Sequence, residues 1–139
     1  MEEVLRAALT SSQLRALCIY GLNQKGEQQQ WASTAMAASA PLAPSSSLQQ
    51  ITILFREMTG FGALLACHSQ RLPLLKYLQL YSCQLGREGA KGVQACLPLL
   101  PQLETLDLEG NSIGGEGVRE LCATIAVSLP HLRVLYLGG

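Results

Sequence analysis

Aliphatic residues recur along this chain in a short spaced pattern that appears five times. In each copy, written L-x-x-L-x-L, an aliphatic residue occupies the first, fourth and sixth positions. The copies begin at Leu14, Leu48, Leu75, Leu103 and Leu132, so that successive starting points are 34, 27, 28 and 29 residues apart. Self-similarity at a period of this length indicates a repeat architecture, in which each copy is one structural unit.

Within each copy, the fourth to sixth positions alternate between apolar and variable residues, which is the period of a β-strand with its aliphatic side chains turned inward. Three positions after the sixth stand Cys83 in one copy and Asn111 in the next. Either side chain can form hydrogen bonds with backbone groups that lose their partners where the strand ends. Gly86 and Gly114 follow, and they predict a tight turn with an unusual backbone angle.

After the turn, the apolar spacing changes to that of a helix, which we predict over Glu88–Leu97 and Glu116–Leu129. Each predicted helix carries a glutamate in its first turn, where a negative charge is favourable. Pro101 and Pro130 end the helices because proline cannot continue them. Each unit is therefore strand, turn, helix and return. Since one unit cannot bury its own leucines, we expect neighbouring units to stack into a solenoid with a continuous core.

Two copies, Leu75–Gly89 and Leu103–Gly117, share a longer motif that ends in N/C-x-[IL]-G-x-E-G. This motif resembles that of the leucine-rich repeat family, in its ribonuclease-inhibitor-like subclass, which also occurs in Ran GTPase-activating proteins and in the sensor ends of NOD-like receptors. The resemblance is strong over residues 72–139, fair over 48–71 and weak over 1–47. It implies an α/β horseshoe of about four and a half repeats, with a parallel sheet inside and helices outside, that grips another protein.

We predict a single leucine-rich-repeat domain over residues 1–139, with a degenerate first repeat. That repeat is longer than the others, and its excess lies in an Ala-, Ser- and Pro-rich insertion at about residues 32–47. The sequence there predicts a helix over Glu27–Ala40 and a loop over Pro41–Ser47. Glu2–Leu9 is interpreted as a partial amphipathic helix that covers the first repeat.

No covering segment follows the last repeat, although solenoids need a polar cap and an uncovered edge strand invites pairing. Two expectations follow from this. The chain is either a fragment of a longer repeat array, or it associates end to end with itself through its uncapped C-terminal repeat.

Function in this architecture is expected at the third, fifth and seventh motif positions, which point away from the core. All four tyrosines of the chain occupy these positions, and Asp107 and Glu109 place an acidic spot beside them. Tyrosine is enriched at protein interfaces, although it also favours strands in general. The predicted partner-binding residues are Tyr20, Tyr77, Gln79, Tyr81, Asp107, Glu109 and Tyr136, and the expected partner presents Lys or Arg to the two carboxylates.

Composition narrows the class of protein. Leucine fills 27 of the 139 positions, but the longest uncharged run, residues 28–55, is interrupted by glutamines, serines and prolines, so no membrane-spanning segment is predicted. The acidic start, Met1-Glu2-Glu3, does not resemble a secretory signal. Ten basic and ten acidic residues leave no net charge, which argues against nucleic-acid binding. We therefore expect a cytoplasmic protein.

Candidate chemistry is sparse. The five cysteines form no CxxC pair, and His68 and His131 stand far apart, so no metal, cofactor or catalytic residue is predicted. We expect five reduced and mostly packed thiols. The resulting hypothesis is a non-catalytic protein–protein interaction module, or scaffold. The alternative is a regulator of an enzyme, either a small-GTPase activator or a nuclease inhibitor, although a grip on a basic nuclease favours a more acidic face than this one.

Overall fold

The computed structural model describes residues 13–20, 47–54 and 72–139. This part of the chain contains five β-strands, two α-helices and one short 3₁₀ helix. The strands are β1 (Ala16–Tyr20), β2 (Gln50–Leu54), β3 (Tyr77–Tyr81), β4 (Thr105–Asp107) and β5 (Val134–Tyr136). The helices are α1 (Gly86–Cys96), the 3₁₀ helix (Leu97–Leu99) and α2 (Gly114–Ser128).

The five strands form one sheet in chain order, and every neighbouring pair is parallel. Tyr77 pairs with Gln50 on one side and with Thr105 on the other, and Thr105 pairs with Val134. These partners occupy the same motif position in successive copies, so the register equals the sequence period. The prediction of an α/β fold with a parallel sheet is therefore confirmed.

The core lies between the sheet and the helices. Leu78 and Leu80 of β3, at the fourth and sixth motif positions, are fully buried. Val93 and Cys96 of α1 belong to the same core cluster. Full burial of one such leucine contributes roughly 1.5–3 kcal/mol before the entropy of ordering is subtracted. One face of the sheet consequently packs against the helices, and the alternate side chains lie on the other face.

Both helices begin two residues before their predicted starts. The reason is visible at the first turn of α1, where the Gly89 N–H donates to the Leu85 carbonyl across the turn glycine, 3.0 Å away. Gly86 and Gly114 have φ angles of 59° and 77°, so the predicted unusual turn conformation is present. Each helix ends one residue before its predicted end, α1 at Cys96 and α2 at Ser128. The prediction that Pro101 ends the first helix is wrong, because α1 gives way to the 3₁₀ helix Leu97–Leu99 before Pro101 is reached. Neither described helix is long and apolar enough to cross a membrane.

Strand β5 lies at one edge of the described sheet and is less covered than its neighbours. Leu135 is 37% exposed, although its counterpart Leu106 on β4 is fully buried. The predicted N-terminal helix Glu2–Leu9, the predicted helix Glu27–Ala40 and, apart from Ser47, the predicted loop Pro41–Ser47 lie outside the described residues. The insertion at about 32–47 and the number of repeats therefore stay predictions.

Asn111 ties two neighbouring strands together from inside the core, where it is 1% exposed. Its side-chain oxygen accepts hydrogen bonds from the backbone N–H groups of Cys83 and Leu85, at 2.9 and 3.3 Å. Its amide nitrogen donates to the carbonyl groups of Leu80 and Leu108. The buried amide thus satisfies backbone groups that the turn leaves without partners, as the sequence predicted.

Cys83 holds the equivalent place one repeat earlier. Its thiol donates to the Ile53 carbonyl of the preceding strand, with 3.3 Å between sulfur and oxygen. A thiol makes weaker hydrogen bonds than an amide and offers fewer of them. Both residues therefore form hydrogen bonds with the backbone of the preceding repeat, and those of Cys83 are weaker than those of Asn111.

This difference predicts the effect of substitutions at Asn111. Asn111→Ala should lower the free energy of unfolding by about 3 kcal/mol, because several buried backbone groups lose their partners together. Asn111→Cys should cost less, since a thiol can still donate to a backbone carbonyl, as Cys83 does. Urea unfolding followed by circular dichroism measures both, with the exposed Ser112→Ala as the control. Equal stability of Asn111→Ala and the control would contradict this role.

Candidate functional site

The face of the sheet opposite the core carries the candidate site, and we call it the open sheet face. It consists of the side chains at the third, fifth and seventh motif positions, which alternate with buried aliphatic residues along β1 to β4, whereas Leu135 between the corresponding positions of β5 is itself exposed. Its members with described side chains are Ala16, Cys18, Gln50, Thr52, Leu54, Tyr77, Gln79, Tyr81, Thr105, Asp107, Glu109, Val134, Tyr136 and Gly138.

Three of the four predicted tyrosines have described side chains on this face. Tyr77 is 40% exposed and Tyr136 is 50% exposed, whereas Tyr81 is half-buried. Tyr20 ends β1 and pairs with Leu54 of β2, but its side chain lies outside the described part of the chain. The fold therefore puts exposed aromatic rings where the motif register predicted them.

Asp107 and Glu109 lie at the carboxyl end of β4. The backbone N–H of Glu109 donates to one carboxylate oxygen of Asp107, 3.1 Å away. Asp107 pairs in register with Gln79 of β3 on one side and with Tyr136 of β5 on the other. Among the described residues, neither carboxylate has a basic side chain within ion-pair distance. In the part of the chain that the structure describes, both negative charges are therefore without an ion-pair partner, and Asp107 lies beside Tyr136.

A short chain of hydrogen bonds crosses the sheet next to this spot. The Gln50 amide donates to the Thr52 hydroxyl at 3.1 Å, and that hydroxyl donates to the Gln79 side-chain oxygen at 2.9 Å. Thr52, at the fifth motif position of β2, belongs to the open sheet face but is only 6% exposed. The two long glutamine side chains that bond to Thr52 cover it. This network holds the amide of Gln79, a predicted site residue, in one orientation.

A row of mostly charged residues directly precedes the strands, at the second motif position, where the repeat of β2 alone has an uncharged residue, Gln49. Arg15 and Arg133 are exposed at its two ends, and Lys76 and Glu104 lie between them. The Lys76 ammonium contacts the Glu104 carboxylate at 3.0 Å. This hydrogen bond lowers the pKa of the Glu104 carboxyl group, and the charges of Lys76 and Arg133 act in the same direction. The sequence interpretation overlooked this row, although the recurrence of charge at one motif position is a readable signal.

The helix side of the molecule differs from the open sheet face, because most of its described charges are paired. Arg87 of α1 contacts Glu116 and Glu120 of α2, at 2.8 and 3.6 Å. Gln94 donates to the Thr124 hydroxyl at 2.8 Å. Exposed pairs of this kind contribute little to stability, on the order of 0–1 kcal/mol each. They connect the two helices and leave few unpaired groups for a partner.

Four cysteines are described, and all are free thiols. Cys83 and Cys96 are buried as expected, but Cys18 on the open sheet face and Cys122 on α2 are exposed. Burial raises the pKa of the Cys96 thiol to about 12. Its sulfur also donates to the Val93 carbonyl at 2.9 Å. Within residues 13–20, 47–54 and 72–139, no group of three or more His, Cys, Asp or Glu side chains is placed to hold a metal ion.

Comparison with known proteins connects this geometry to a family. A family model described as a leucine-rich repeat matches residues 100–122, which include β4 and the start of α2. The chain is 31% identical over 101 residues, or 71% of its length, to NACHT, LRR and PYD domains-containing protein 12 of Homo sapiens. It is 30% identical over 99 residues, or 70% of its length, to ribonuclease inhibitor of Sus scrofa.

These relatives are much longer than the matched region. The chain spans 10% of the human protein and 22% of the porcine ribonuclease inhibitor. A match to Tonsoku-like protein of Bos taurus is 35% identical over 72 residues and covers 5% of that protein. No solved structure matches the chain.

The burial of the thiols predicts their reactivity. At mildly alkaline pH, iodoacetamide should modify Cys18 and Cys122 within minutes and leave Cys83 and Cys96 unmodified, because the reagent cannot reach the two buried thiols. In addition, the Cys96 thiol, whose pKa is about 12, holds almost no thiolate. Peptide mapping by mass spectrometry distinguishes the four sites, and the urea-unfolded chain is the control in which all should react. Modification of Cys96 as fast as Cys122 in the folded chain would overturn the assigned core.

Proposed function

We propose that the chain is a non-catalytic protein-interaction module. It belongs to the leucine-rich repeat family and carries repeats of the ribonuclease-inhibitor-like kind. In this proposal, the parallel sheet lines the inside of a solenoid arc of about four and a half repeats. The partner is a protein, and it binds on the open sheet face. Family membership alone does not decide function, so the proposal depends on the residues of that face.

One observation supports the proposal most strongly. The exposed ring of Tyr136 pairs in register with Asp107, and the exposed ring of Tyr77 lies on the other neighbouring strand, two positions before Gln79, the second partner of Asp107. Neither Asp107 nor Glu109 has a cationic partner among the described residues. A tyrosine ring buries a large apolar area at a small cost in conformational entropy, and its hydroxyl group finds a polar partner. A partner that offers apolar surface to the rings and Lys or Arg to the carboxylates fits this arrangement. The proposed contact set also includes Tyr20, Gln79 and Tyr81.

The proposal predicts that changes on the open sheet face reduce partner binding without loss of folding. Tyr136→Ala combined with Asp107→Asn should weaken binding about tenfold or more, because an aromatic anchor and a charge are removed together. Asparagine retains a side-chain oxygen that can accept the Glu109 N–H. Proteins captured by the immobilised chain from a mammalian cell extract are identified by mass spectrometry, and their affinity is then measured with purified material.

A matched control lies on the exposed side of α2. Arg119→Asn combined with Val127→Ala removes a charge and an apolar side chain there, and both residues are exposed. This variant should bind as the parent chain does. Circular dichroism verifies the fold of both variants. A partner that binds the sheet variant normally and loses affinity only for the helix variant would refute the proposal.

The alternative function is regulation of an enzyme, and the similarity to ribonuclease inhibitor is the observation in its favour. The charge of the open sheet face argues against a nuclease inhibitor, because Asp107 and Glu109 are its only acidic members among the described residues. Electrostatic complementarity to a strongly basic enzyme needs a wider acidic surface. We therefore expect micromolar concentrations of the chain to leave the activity of pancreatic ribonuclease unchanged. Stoichiometric inhibition in that assay would favour the alternative.

Three finer expectations belong to the same proposal. A scaffold role and a cytoplasmic location stay predictions from the sequence. End-to-end self-association also stays a prediction from the sequence.

A further inference from the structure

We propose that the open sheet face, together with Arg133 in the row that directly precedes the strands, binds an extended protein segment with separated charges, in which an acidic residue contacts Arg133 and a basic residue contacts Asp107 and Glu109. This inference rests on the proposed function, since it assumes that a protein binds here. It adds the chemistry of the bound segment and its placement along β4 and β5.

The positive charge lies at the amino end of β5. Arg133 is exposed, and its backbone N–H donates to the carbonyl of Glu104 at 2.8 Å, which fixes the two residues side by side. The Glu104 carboxylate is already engaged by Lys76 at 3.0 Å. No carboxylate among the described residues lies within ion-pair distance of the Arg133 guanidinium. Arg133 therefore presents a net positive charge to a partner.

The negative charge lies farther along the same two strands. Asp107 is three residues beyond Glu104, the neighbour of Arg133, and Glu109 is five residues beyond it. At roughly 3.3 Å of rise per residue, the level of Asp107 is about 10 Å from that of Arg133, and Glu109 lies past the end of β4. A segment that runs along the strands can therefore reach both charges.

Apolar surface connects the two ends. Val134 and Tyr136 of β5 are 37% and 50% exposed, and both belong to the open sheet face. An extended chain advances up to about 3.6 Å per residue, so three to five residues span the distance between the charges. The fitting segment has an acidic residue and a Lys or Arg separated by three to five positions, with apolar residues between them.

Charge complementarity distinguishes this occupant from simpler ones. A uniformly basic segment that fills the site brings a like charge against Arg133, and a uniformly acidic one brings a like charge against Asp107 and Glu109. Exposed charges at an interface contribute little affinity, but they set orientation and exclude wrong partners. The zero net charge of the chain thus coexists with a face whose two ends differ in sign.

Selection from a library of random dodecapeptides displayed on phage tests the inference with the purified full chain. The parent chain should enrich peptides in which an acidic and a basic residue stand three to five positions apart. Asp107→Asn with Glu109→Gln should abolish the preference for the basic residue and keep the acidic one. Arg133→Gln should do the reverse. Each neutralisation should weaken synthetic copies of the parent-selected peptides about fivefold or more, as measured by fluorescence anisotropy.

Matched controls carry the same charge changes on the helix side. Arg119→Gln, and Glu116→Gln with Glu120→Gln, should leave the selection unchanged. Tyr136→Ala distinguishes a failure of the proposed function from a failure of the inference about the charges of the bound segment. If the selected peptides bind Tyr136→Ala as they bind the parent chain, the proposed function itself fails. If they depend on Tyr136 but lack the spaced charges, or if both neutralisations change the selection identically, only the present inference is overturned. The absence of any enriched peptide also overturns it.

Discussion

Parallel pairing of the strands at one common register is the constraint on which the rest of the structure depends. Because side chains alternate along a strand, a slip of one residue would turn the leucines of a strand out of the core. The buried amide of Asn111 holds this register, since it bonds to backbone groups of two neighbouring strands at once. The same pairing aligns equal motif positions across the sheet, as in Tyr77, Thr105 and Val134. Core and open face therefore arise from a single geometric rule.

The sequence predicts this rule well because it depends on local spacing. The 28-residue offset from Leu75 to Leu103 predicts the observed pairing of Tyr77 with Thr105. The position of Gly86 and Gly114 after the strand likewise predicts their positive φ angles. Features that depend on two side chains from different repeats were not predicted. Thr52 is buried because Gln50 and Gln79 both bond to it, and no single repeat contains that information. The contact of Lys76 with Glu104 also joins side chains from two repeats, and it was not predicted for the same reason.

The candidate function follows from what each face of the sheet must do. The inward leucines provide stability, so the alternate positions can vary without loss of the core, and in this chain they carry tyrosines and carboxylates. The exposed charges of the helix side are largely paired between α1 and α2, as for Arg87 with Glu116. On the open sheet face, by contrast, Asp107 and Glu109 have no cationic partner among the described residues. A partner that supplies the missing charge and covers the rings completes the arrangement.

Binding on the open sheet face can be tested by following the amide chemical shifts of the isotope-labelled chain during titration with a captured protein or a selected peptide. We expect the largest shift changes at Thr105, Asp107 and Tyr136, on the strands. Largest changes at Arg119, Ala123 and Val127, on the exposed side of α2, would contradict it.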